Sequence, residues 1–315
     1  MGQYVTAFSV RINRAFFPSL FSLLPSPHYH HFCKNNMVVF PCCKINLGLN
    51  VVARRSDGYH DIETLFYPVP LNDNLEVVTA PRLTTSYVLH ETGIPLEGSG
   101  QHNLVVRVLE TLRETYPQQI PPVEIWLHKR IPAGAGLGGG SSDAAFMMRL
   151  LNTQYDLGMN DEDIEYRLAR LGADCAFFNR CKPAFATGIG DRLMPVNLSL
   201  AGWNLVLVKP DVYVSTREAF SMIVPQRADH PLLEALQRPV ETWRETVSND
   251  FEKSVFLHYP KIAAIKATLY EMGAVYASMS GSGSCVYALF HDRQPEVKDI
   301  FPDCFVYETR LRILP

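Results

Sequence analysis

Several short segments of the chain alternate apolar and polar residues, and others repeat apolar residues at helical spacing. Residues 123–127 carry valine, isoleucine and leucine at every second position, which predicts a strand with one buried face. Segments 75–79 and 84–90 alternate in the same way. After Asn103, apolar residues recur at positions 104, 108 and 112, as expected for a helix that begins after an asparagine cap. Strands and helices are grouped instead of strictly alternating, which predicts an α+β fold with antiparallel strands.

The chain is predicted to divide into two domains and a leader. Residues 197–202 read as a linker, so we expect one domain over 37–198 and a second over 199–315. The first 36 residues contain basic side chains and prolines, and no acidic residue occurs before Asp57. This leader resembles either an organellar transit peptide or the product of an upstream start codon, with Met37 as the true start. In both cases we expect it to be weakly ordered.

Composition limits the possible classes of function. The chain has 315 residues, is 47% hydrophobic and 19% charged, and carries a net charge of −3, which suits a globular core. This balance provides no general field for nucleic acid or anionic lipid, and no apolar run reaches the roughly 20 residues needed to cross a bilayer. Seven cysteines without a C-x-x-C pair predict reduced thiols in the cytoplasm.

A glycine-rich loop directly follows the alternating strand at 123–127. Five glycines lie between positions 132 and 140, and Ser141 and Ser142 then begin a predicted helix. Glycines allow backbone N–H groups to face a ligand without interference from Cβ atoms. The helix N-terminus adds free N–H groups and a partial positive charge. The loop therefore predicts a phosphate site.

Three familiar nucleotide-binding motifs do not fit this loop. Gly134, Gly136 and Gly139 satisfy G-x-G-x-x-G, but the preceding strand alternates and no acidic residue ends a strand about 20 residues later, which argues against a dinucleotide-binding fold. No Gly-Lys-Ser/Thr ends the loop, which excludes Walker A. His-Arg-Asp and Asp-Phe-Gly are absent, which excludes a protein kinase.

The loop at 132–145 resembles the phosphate loop of the GHMP kinases. Within that superfamily, residues 44–49 (Lys-Ile-Asn-Leu-Gly-Leu), 55–66 (which contain Asp-Gly-Tyr-His) and 171–174 (Leu-Gly-Ala-Asp) are similar to the enzymes that phosphorylate the 2-hydroxyl of a methylerythritol carried on cytidine diphosphate, in the non-mevalonate isoprenoid pathway. The resemblance extends from about Met37 to the C-terminus. It implies a GHMP kinase fold, with a ribosomal-protein-S5-domain-2-like N-terminal domain and a ferredoxin-like C-terminal domain.

The resemblance also implies roles for individual residues. Asp174 matches the catalytic carboxylate and Lys44 its partner. ATP, as phosphoryl donor, would contact a segment that begins at Asn103 and the loop residues Pro132, Ala133, Gly134, Ala135, Gly136, Leu137, Gly138, Gly139, Gly140, Ser141 and Ser142.

A second set of residues matches the substrate site. Tyr59 and Phe220 would hold the cytosine between two aromatic faces, and His60 and Thr216 would read its polar edge. Asn46 would orient the substrate or the catalytic carboxylate. The Gly-Ser-Gly-Ser-Cys segment at 281–285 matches a third motif of the superfamily, a glycine turn that lines the pocket.

Metal ligands and partners are less determined. The resemblance implies Mg²⁺, but residues 136–140 read Gly-Leu-Gly-Gly-Gly where other GHMP kinases have serines, so the ligands stay open. Asp143 either complements the helix dipole or reaches the metal. We expect a small-molecule substrate with a cytidine diphosphate group, no nucleic acid or membrane partner, and a monomer or weak homodimer. The alternatives are another small-molecule GHMP kinase, such as a mevalonate or homoserine kinase, and RNA binding by an S5-like fold, which the absence of a basic cluster opposes.

Overall fold

A computed structural model describes residues 36–95, 103–221, 223–226, 231–293 and 297–313. The leader predicted over residues 1–36 therefore lies outside the described residues, apart from Asn36. The first half of the chain forms, in order, β1 (Asn36–Val39), β2 (Cys42–Arg54), β3 (His60–Asn72), β4 (Asn74–Thr79), β5 (Tyr87–Gly93), α1 (Leu104–Thr115), β6 (Val123–Lys129), α2 (Gly139–Gln154), α3 (Asp161–Ala169), α4 (Phe177–Arg180), β7 (Ala184–Thr187) and β8 (Arg192–Pro195).

Two four-stranded sheets form in this half. The first has the order β1-β4-β6-β5 and the second the order β2-β3-β7-β8. All pairs are antiparallel except β5 with β6, which are parallel. The alternation along β6 has the expected effect: Val123, Ile125 and Leu127 are buried, in one core cluster with residues of α1 and α2.

The second half forms one more sheet and its covering helices. Its elements are β9 (Asn204–Pro210), α5 (Thr216–Ser221), α6 (Leu232–Leu236), a short 3₁₀ helix (Val240–Thr242), α7 (Trp243–Thr246), α8 (Phe251–His258), α9 (Pro260–Glu271), β10 (Tyr276–Met279), β11 (Val286–Phe290), α10 (Val297–Ile300) and β12 (Cys304–Arg310). The sheet is antiparallel, with order β10-β11-β9-β12. Residues 196–203 connect β8 to β9, and the division into domains at this point stays a prediction.

A shared core joins the two halves. Ile45 and Leu47 of β2 are fully buried in one cluster with Tyr276 and Tyr287 of the last sheet. The Tyr287 hydroxyl donates a hydrogen bond of 2.8 Å to the backbone oxygen of Asn46. β2 therefore runs between the two halves, and its polar residues lie where both can reach them.

The α+β class expected from the sequence is confirmed. In the described ranges, no helix combines the length and the apolar character needed to cross a bilayer. The cysteines in those ranges are free thiols.

Candidate active site

The glycine loop leads from β6 into α2 and touches the second half of the chain. Gly134, Gly136 and Gly138 have φ angles of 58°, 72° and 71°, a region that favours glycine. At Gly136 space is decisive as well, because a Cβ atom would lie 1.9 Å from the backbone oxygen of Ser280. Glycine at this position is therefore required for the loop to pack against the 280–285 turn.

Carbonyl groups of the loop anchor it on both sides. The backbone N–H of Lys44 donates to the oxygen of Leu137 (3.0 Å), and that of Cys285 donates to the oxygen of Ala135 (3.2 Å). α2 then begins after Gly138 without a side-chain cap. The first N–H groups of a helix have no partner within the helix, so this end is chemically suited to a phosphate chain.

Lys44 and Asp174 meet beside this loop. Lys44 Nζ lies 3.4 Å from Asp174 Oδ2, and the lysine side chain is only 4% exposed whereas that of Asp174 is 34% exposed. Lys44 Nζ also donates to Asn46 Oδ1 (2.6 Å) and to the backbone oxygen of Gly136 (2.9 Å). The lysine thus connects β2, the glycine loop and the carboxylate, and the carboxylate stays accessible.

Asn46 is fixed by its own neighbours. Its Nδ2 donates to Thr64 Oγ1 (3.0 Å), and Thr64 Oγ1 donates to the backbone oxygen of Gly48 (2.5 Å). Ser280 Oγ accepts from the Asn46 backbone N–H (3.2 Å) and donates to the oxygen of Gly136 (2.9 Å). Asn46 Oδ1 and Asp174 Oδ2 are therefore both held by Lys44 Nζ, at 2.6 and 3.4 Å.

A buried charge cluster lies behind the loop. Lys129 Nζ, at the end of β6, donates to Asp143 Oδ2 (2.5 Å) and to Asp73 Oδ2. Asp73 Oδ1 accepts from the backbone N–H groups of Arg130 and Ile131, at 2.5 and 2.8 Å. All three charged side chains are at most 3% exposed. The cluster ties the entrance of the loop to the first turn of α2.

Burial dominates the titration of this cluster. It raises the pKa of Asp143 from 3.8 to about 7, with a further increase from the charge of Asp73, although the positive charge of Lys129 acts in the opposite direction. For Lys129, burial alone would lower the pKa, but the two carboxylates outweigh it and the pKa is raised. Lys129 therefore stays charged, and Asp143 takes a proton near neutral pH. Asp143 Oδ2 is paired with Lys129, whereas Asp143 Oδ1 is buried and has no hydrogen-bond partner among the described residues.

The residues expected to bind cytosine lie at the end of the β2–β3 hairpin and in α5. The rings of His60 and Phe220 stack, with centroids 4.8 Å apart and an angle of 14°, and Tyr59 is 61% exposed. Thr216 Oγ1 lies 3.3 Å from Ser282 Oγ. Burial and the charge of Arg54 lower the pKa of His60, so its imidazole is neutral at pH 7.

Asn103 caps α1 as expected. Its Oδ1 accepts from the Val105 backbone N–H (3.0 Å), and its Nδ2 donates to Glu91 Oε1 (2.6 Å). Leu104, the next residue, lies near Gly140 of the loop, because a Cβ on that glycine would be 3.9 Å from Leu104 Cδ1. The start of α1 is therefore adjacent to the loop, but the Asn103 side chain is occupied by the cap.

Sequence reasoning missed several supporting residues. Lys129 lies buried at the end of the alternating strand β6. Its position directly before the glycine loop is the feature of the sequence that could have identified it as a supporting residue of the site. Asp73 and Thr64 carried no signal in a single sequence. Tyr213 also went unnoticed, although a Cβ on Gly134 would lie 2.6 Å from its ring.

Comparisons with known proteins agree with this geometry. The family model described as "GHMP kinases N terminal domain" matches residues 103–181, and that described as "GHMP kinases C terminal" matches residues 232–306. A homoserine kinase from Cytophaga hutchinsonii shares the fold, with a TM-score of 0.64 at 17% identity over 90% of this chain and 97% of its own.

The proteins below, which have higher sequence identity to this chain, share one name. 4-Diphosphocytidyl-2-C-methyl-D-erythritol kinase of Bacteroides fragilis is 52% identical over 88% of this chain and its own full length, and that of Parabacteroides distasonis is 50% identical over 87% of this chain and its own full length. A crystal structure of 4-(cytidine 5'-diphospho)-2C-methyl-D-erythritol kinase has a TM-score of 0.73 at 31% identity, over 86% of this chain and 98% of its own. On sequence and fold alike, the chain belongs to the 4-diphosphocytidyl-2-C-methyl-D-erythritol kinase family of the GHMP kinases.

Proposed function

We propose that this enzyme transfers the γ-phosphoryl group of ATP to the 2-hydroxyl of 4-diphosphocytidyl-2-C-methyl-D-erythritol, a step of the non-mevalonate isoprenoid pathway. The observation that carries the proposal is the ion pair between Lys44 and Asp174, 3.4 Å long, beside a glycine loop suited to phosphate. Kinases of this superfamily act on small molecules, and the relatives that share about half of the sequence carry the name of this reaction.

In the proposed step, Asp174 accepts the proton of the substrate hydroxyl as the oxygen attacks phosphorus. Lys44, whose Nζ lies 3.4 Å from this carboxylate, offsets negative charge on the attacking oxygen. Phosphoryl transfer passes through a loose transition state. Positioning of the two reactants therefore contributes more than the strength of the base.

The phosphates of ATP would contact the loop N–H groups and the start of α2. In the first turn of that helix, the Ser142 hydroxyl is buried and lacks a hydrogen-bond partner among the described residues, so it is available to a ligand. No cluster of three His, Cys, Asp or Glu side chains suited to a metal occurs in the described ranges. Mg²⁺ is usually held by one or two protein groups, phosphate oxygens and water, and in this proposal the unpartnered Ser142 hydroxyl would be such a group. When bound, Mg²⁺ neutralises charge on the phosphates.

Cytosine recognition requires a local rearrangement. Two rings with centroids 4.8 Å apart leave no room for a base, since two successive aromatic contacts need about 7 Å. We infer that the base replaces His60 over Phe220 and that Tyr59 covers its other face. The neutral His60 then turns to the polar edge of the base, near Thr216. The exposed position of Tyr59 makes this closure sterically simple.

Other expectations stay predictions of this proposal: the cytoplasmic location, a monomeric or weakly dimeric state, and the absence of nucleic-acid partners. The mevalonate- and homoserine-kinase alternative is not favoured, because those kinases share the fold at 12–17% identity, whereas the named family is shared at about 50%.

The test is a substrate panel with a matched pair of variants. Purified protein is assayed for ATP consumption with the cytidine substrate, mevalonate and homoserine, and we expect turnover with the first alone. Asp174→Asn should lower kcat by about 10²- to 10⁴-fold, the range for loss of a general base. Asp303→Asn, at an exposed carboxylate outside the site, is the control and should retain activity. Near-normal turnover of Asp174→Asn would remove this carboxylate from the mechanism.

A further inference from the structure

The two segments that carry Lys44 and Asp174 make a second contact, between two cysteine thiols. Cys42 Sγ lies 3.3 Å from Cys181 Sγ, across 139 residues of sequence. Both cysteines are partly buried and pack against the core cluster of the first half. The other free thiols of the described residues include Cys43 and Cys285, both fully buried.

The environment of the pair makes the two thiols unequal. The Cys42 thiol donates to Cys181 Sγ, which lowers the pKa of Cys181, and the positive charge of Arg149 lowers it further. The same contact, together with burial, raises the pKa of Cys42. Burial raises the pKa of Cys285 to about 12. Cys181 Sγ also lies 3.2 Å from the backbone oxygen of Phe178, to which its thiol donates. Among the described thiols, Cys181 is the one whose pKa is lowered, which favours it as the attacking sulfur of the pair.

The two cysteines lie on the same two segments as Lys44 and Asp174. Cys42 precedes Lys44 by two positions in β2. Cys42 packs against the core cluster that contains Phe66, and Lys44 Nζ lies 5.0 Å from the centroid of the Phe66 ring, so both side chains lie on the same side of the strand. Cys181 ends the short helix α4, which follows Asp174, and its backbone N–H donates to the oxygen of Phe177 (3.1 Å). The two segments therefore make two contacts: the Lys44–Asp174 ion pair and the pair of thiols.

We propose that Cys42 and Cys181 form a reversible disulfide with low-molecular-weight disulfides such as glutathione disulfide, and that this bond slows phosphoryl transfer. Formation of the disulfide does not depend on the proposed function, whereas the effect on turnover rests on it. A disulfide requires an Sγ–Sγ distance of about 2.05 Å, so the two sulfurs must approach each other by about 1.2 Å from 3.3 Å. This displaces α4 relative to β2 and disturbs the separation of Lys44 and Asp174.

The reaction balances in two exchanges. The Cys181 thiolate attacks one sulfur of glutathione disulfide, the bond between the two glutathione sulfurs breaks, and one glutathione thiolate leaves. Cys42 then gives its proton to solvent, and its thiolate attacks Cys181 Sγ and displaces the second glutathione. Two protein thiols are oxidised to one disulfide, and one glutathione disulfide is reduced to two glutathione molecules.

The experiment uses the full-length reduced protein, incubated with glutathione disulfide. Intact mass and peptide mapping should show the loss of two hydrogen atoms and a cross-link between the peptides of Cys42 and Cys181. The kcat should fall by about tenfold or more, because a misplacement of about 1 Å near a reacting pair costs up to roughly 10²-fold. Dithiothreitol should restore both the mass and the activity.

Matched variants separate this pair from other thiols. Cys181→Ser should keep its activity in the presence of glutathione disulfide, whereas Cys304→Ser should lose activity like the parent protein. Cys42→Ser should stop at the glutathione adduct on Cys181 and form no cross-link. In the parent protein, a cross-link elsewhere, a stable glutathione adduct at Cys181, or no loss of thiols would overturn the proposal. A cross-link with unchanged kcat would overturn its coupling to catalysis. Should the reduced protein not turn over the cytidine substrate, the proposed function fails, and the mass measurement still decides the thiol chemistry.

Discussion

The buried carboxyl of Asp143 should make the stability of this protein depend on pH in an unusual direction. Its pKa rises from 3.8 to about 7, chiefly through burial. Between about pH 4 and pH 7 the native state holds a proton that the unfolded chain releases. The free energy of unfolding contributed by this group therefore falls as the pH rises through that window, whereas a carboxylate stabilised by a salt bridge behaves in the opposite way.

The pKa difference of about 3 sets the size of the effect. Each pKa unit corresponds to about 1.4 kcal/mol, so the ceiling is about 4 kcal/mol lost between pH 4 and pH 8. Asp143→Asn replaces the carboxyl with a neutral group of the same shape, which leaves Lys129 and Asp73 as a balanced pair. The variant should therefore gain stability relative to the parent protein as the pH rises, by up to about 4 kcal/mol, or roughly 8 °C in Tm.

Thermal unfolding at pH 4, 5, 6, 7 and 8 measures this effect. Groups that titrate in both proteins cancel in the difference in Tm between the variant and the parent. Asp303→Asn, at an exposed carboxylate, serves as the control and should give a difference that hardly varies with pH. A constant difference for Asp143→Asn, or one that favours the parent protein as the pH rises, would refute the view that this carboxyl holds a proton in the folded state.

Three further predictions concern the loop, the base and the buried lysine. Gly136→Ala should lower Tm sharply, because its Cβ would lie 1.9 Å from the Ser280 oxygen. The control is Gly273→Ala, which has a similar φ of 93° but open space around it and should lower the free energy of unfolding by only about 1–2 kcal/mol. Equal losses of stability in the two variants would contradict this account. Tyr59→Ala should raise the KM for the cytidine substrate by roughly 5- to 100-fold and leave the KM for ATP unchanged in steady-state assays; parallel changes in both constants would argue against stacking. Lys129→Met should cost about 3–5 kcal/mol in urea unfolding, because it leaves the Asp73 carboxylate buried without a positive charge; a loss well below this would contradict the role of Lys129 as the partner of Asp73.

The sequence predicted local structure well where the pattern is short-ranged. The alternation at 123–127 and the cap at Asn103 depend on neighbouring residues, and both form as expected. The glycine loop was recognisable because its conformation excludes most side chains. The strand at 123–127 continues to Lys129, because its backbone pairs with β5 as far as Gly93. The two carboxylates that contact the buried lysine could not be located from a single sequence.

The long-range contacts could not be read in the same way. Asp73 precedes Asp143 by 70 positions, and only folding brings both to Lys129. Lys44 and Asp174 were identified through a resemblance, not through their spacing, and the structure brings them within 3.4 Å. The stack of His60 on Phe220 was not foreseen, because the orientation of a ring depends on the side chains packed against it, and here these come from distant parts of the sequence.

The core shared by β2 and the last sheet has a consequence for how the enzyme handles its substrates. Ile45 and Leu47 are sealed against Tyr276 and Tyr287, so the halves cannot swing apart around a hinge without exposing these side chains to water at a cost of about 1.5–3 kcal/mol each. Substrate entry and product exit must then depend on small movements of exposed side chains, such as Tyr59 and Tyr213. For the same reason, cutting the chain between the halves would expose an apolar surface on each fragment. Fragments expressed separately should therefore aggregate unless they are produced together.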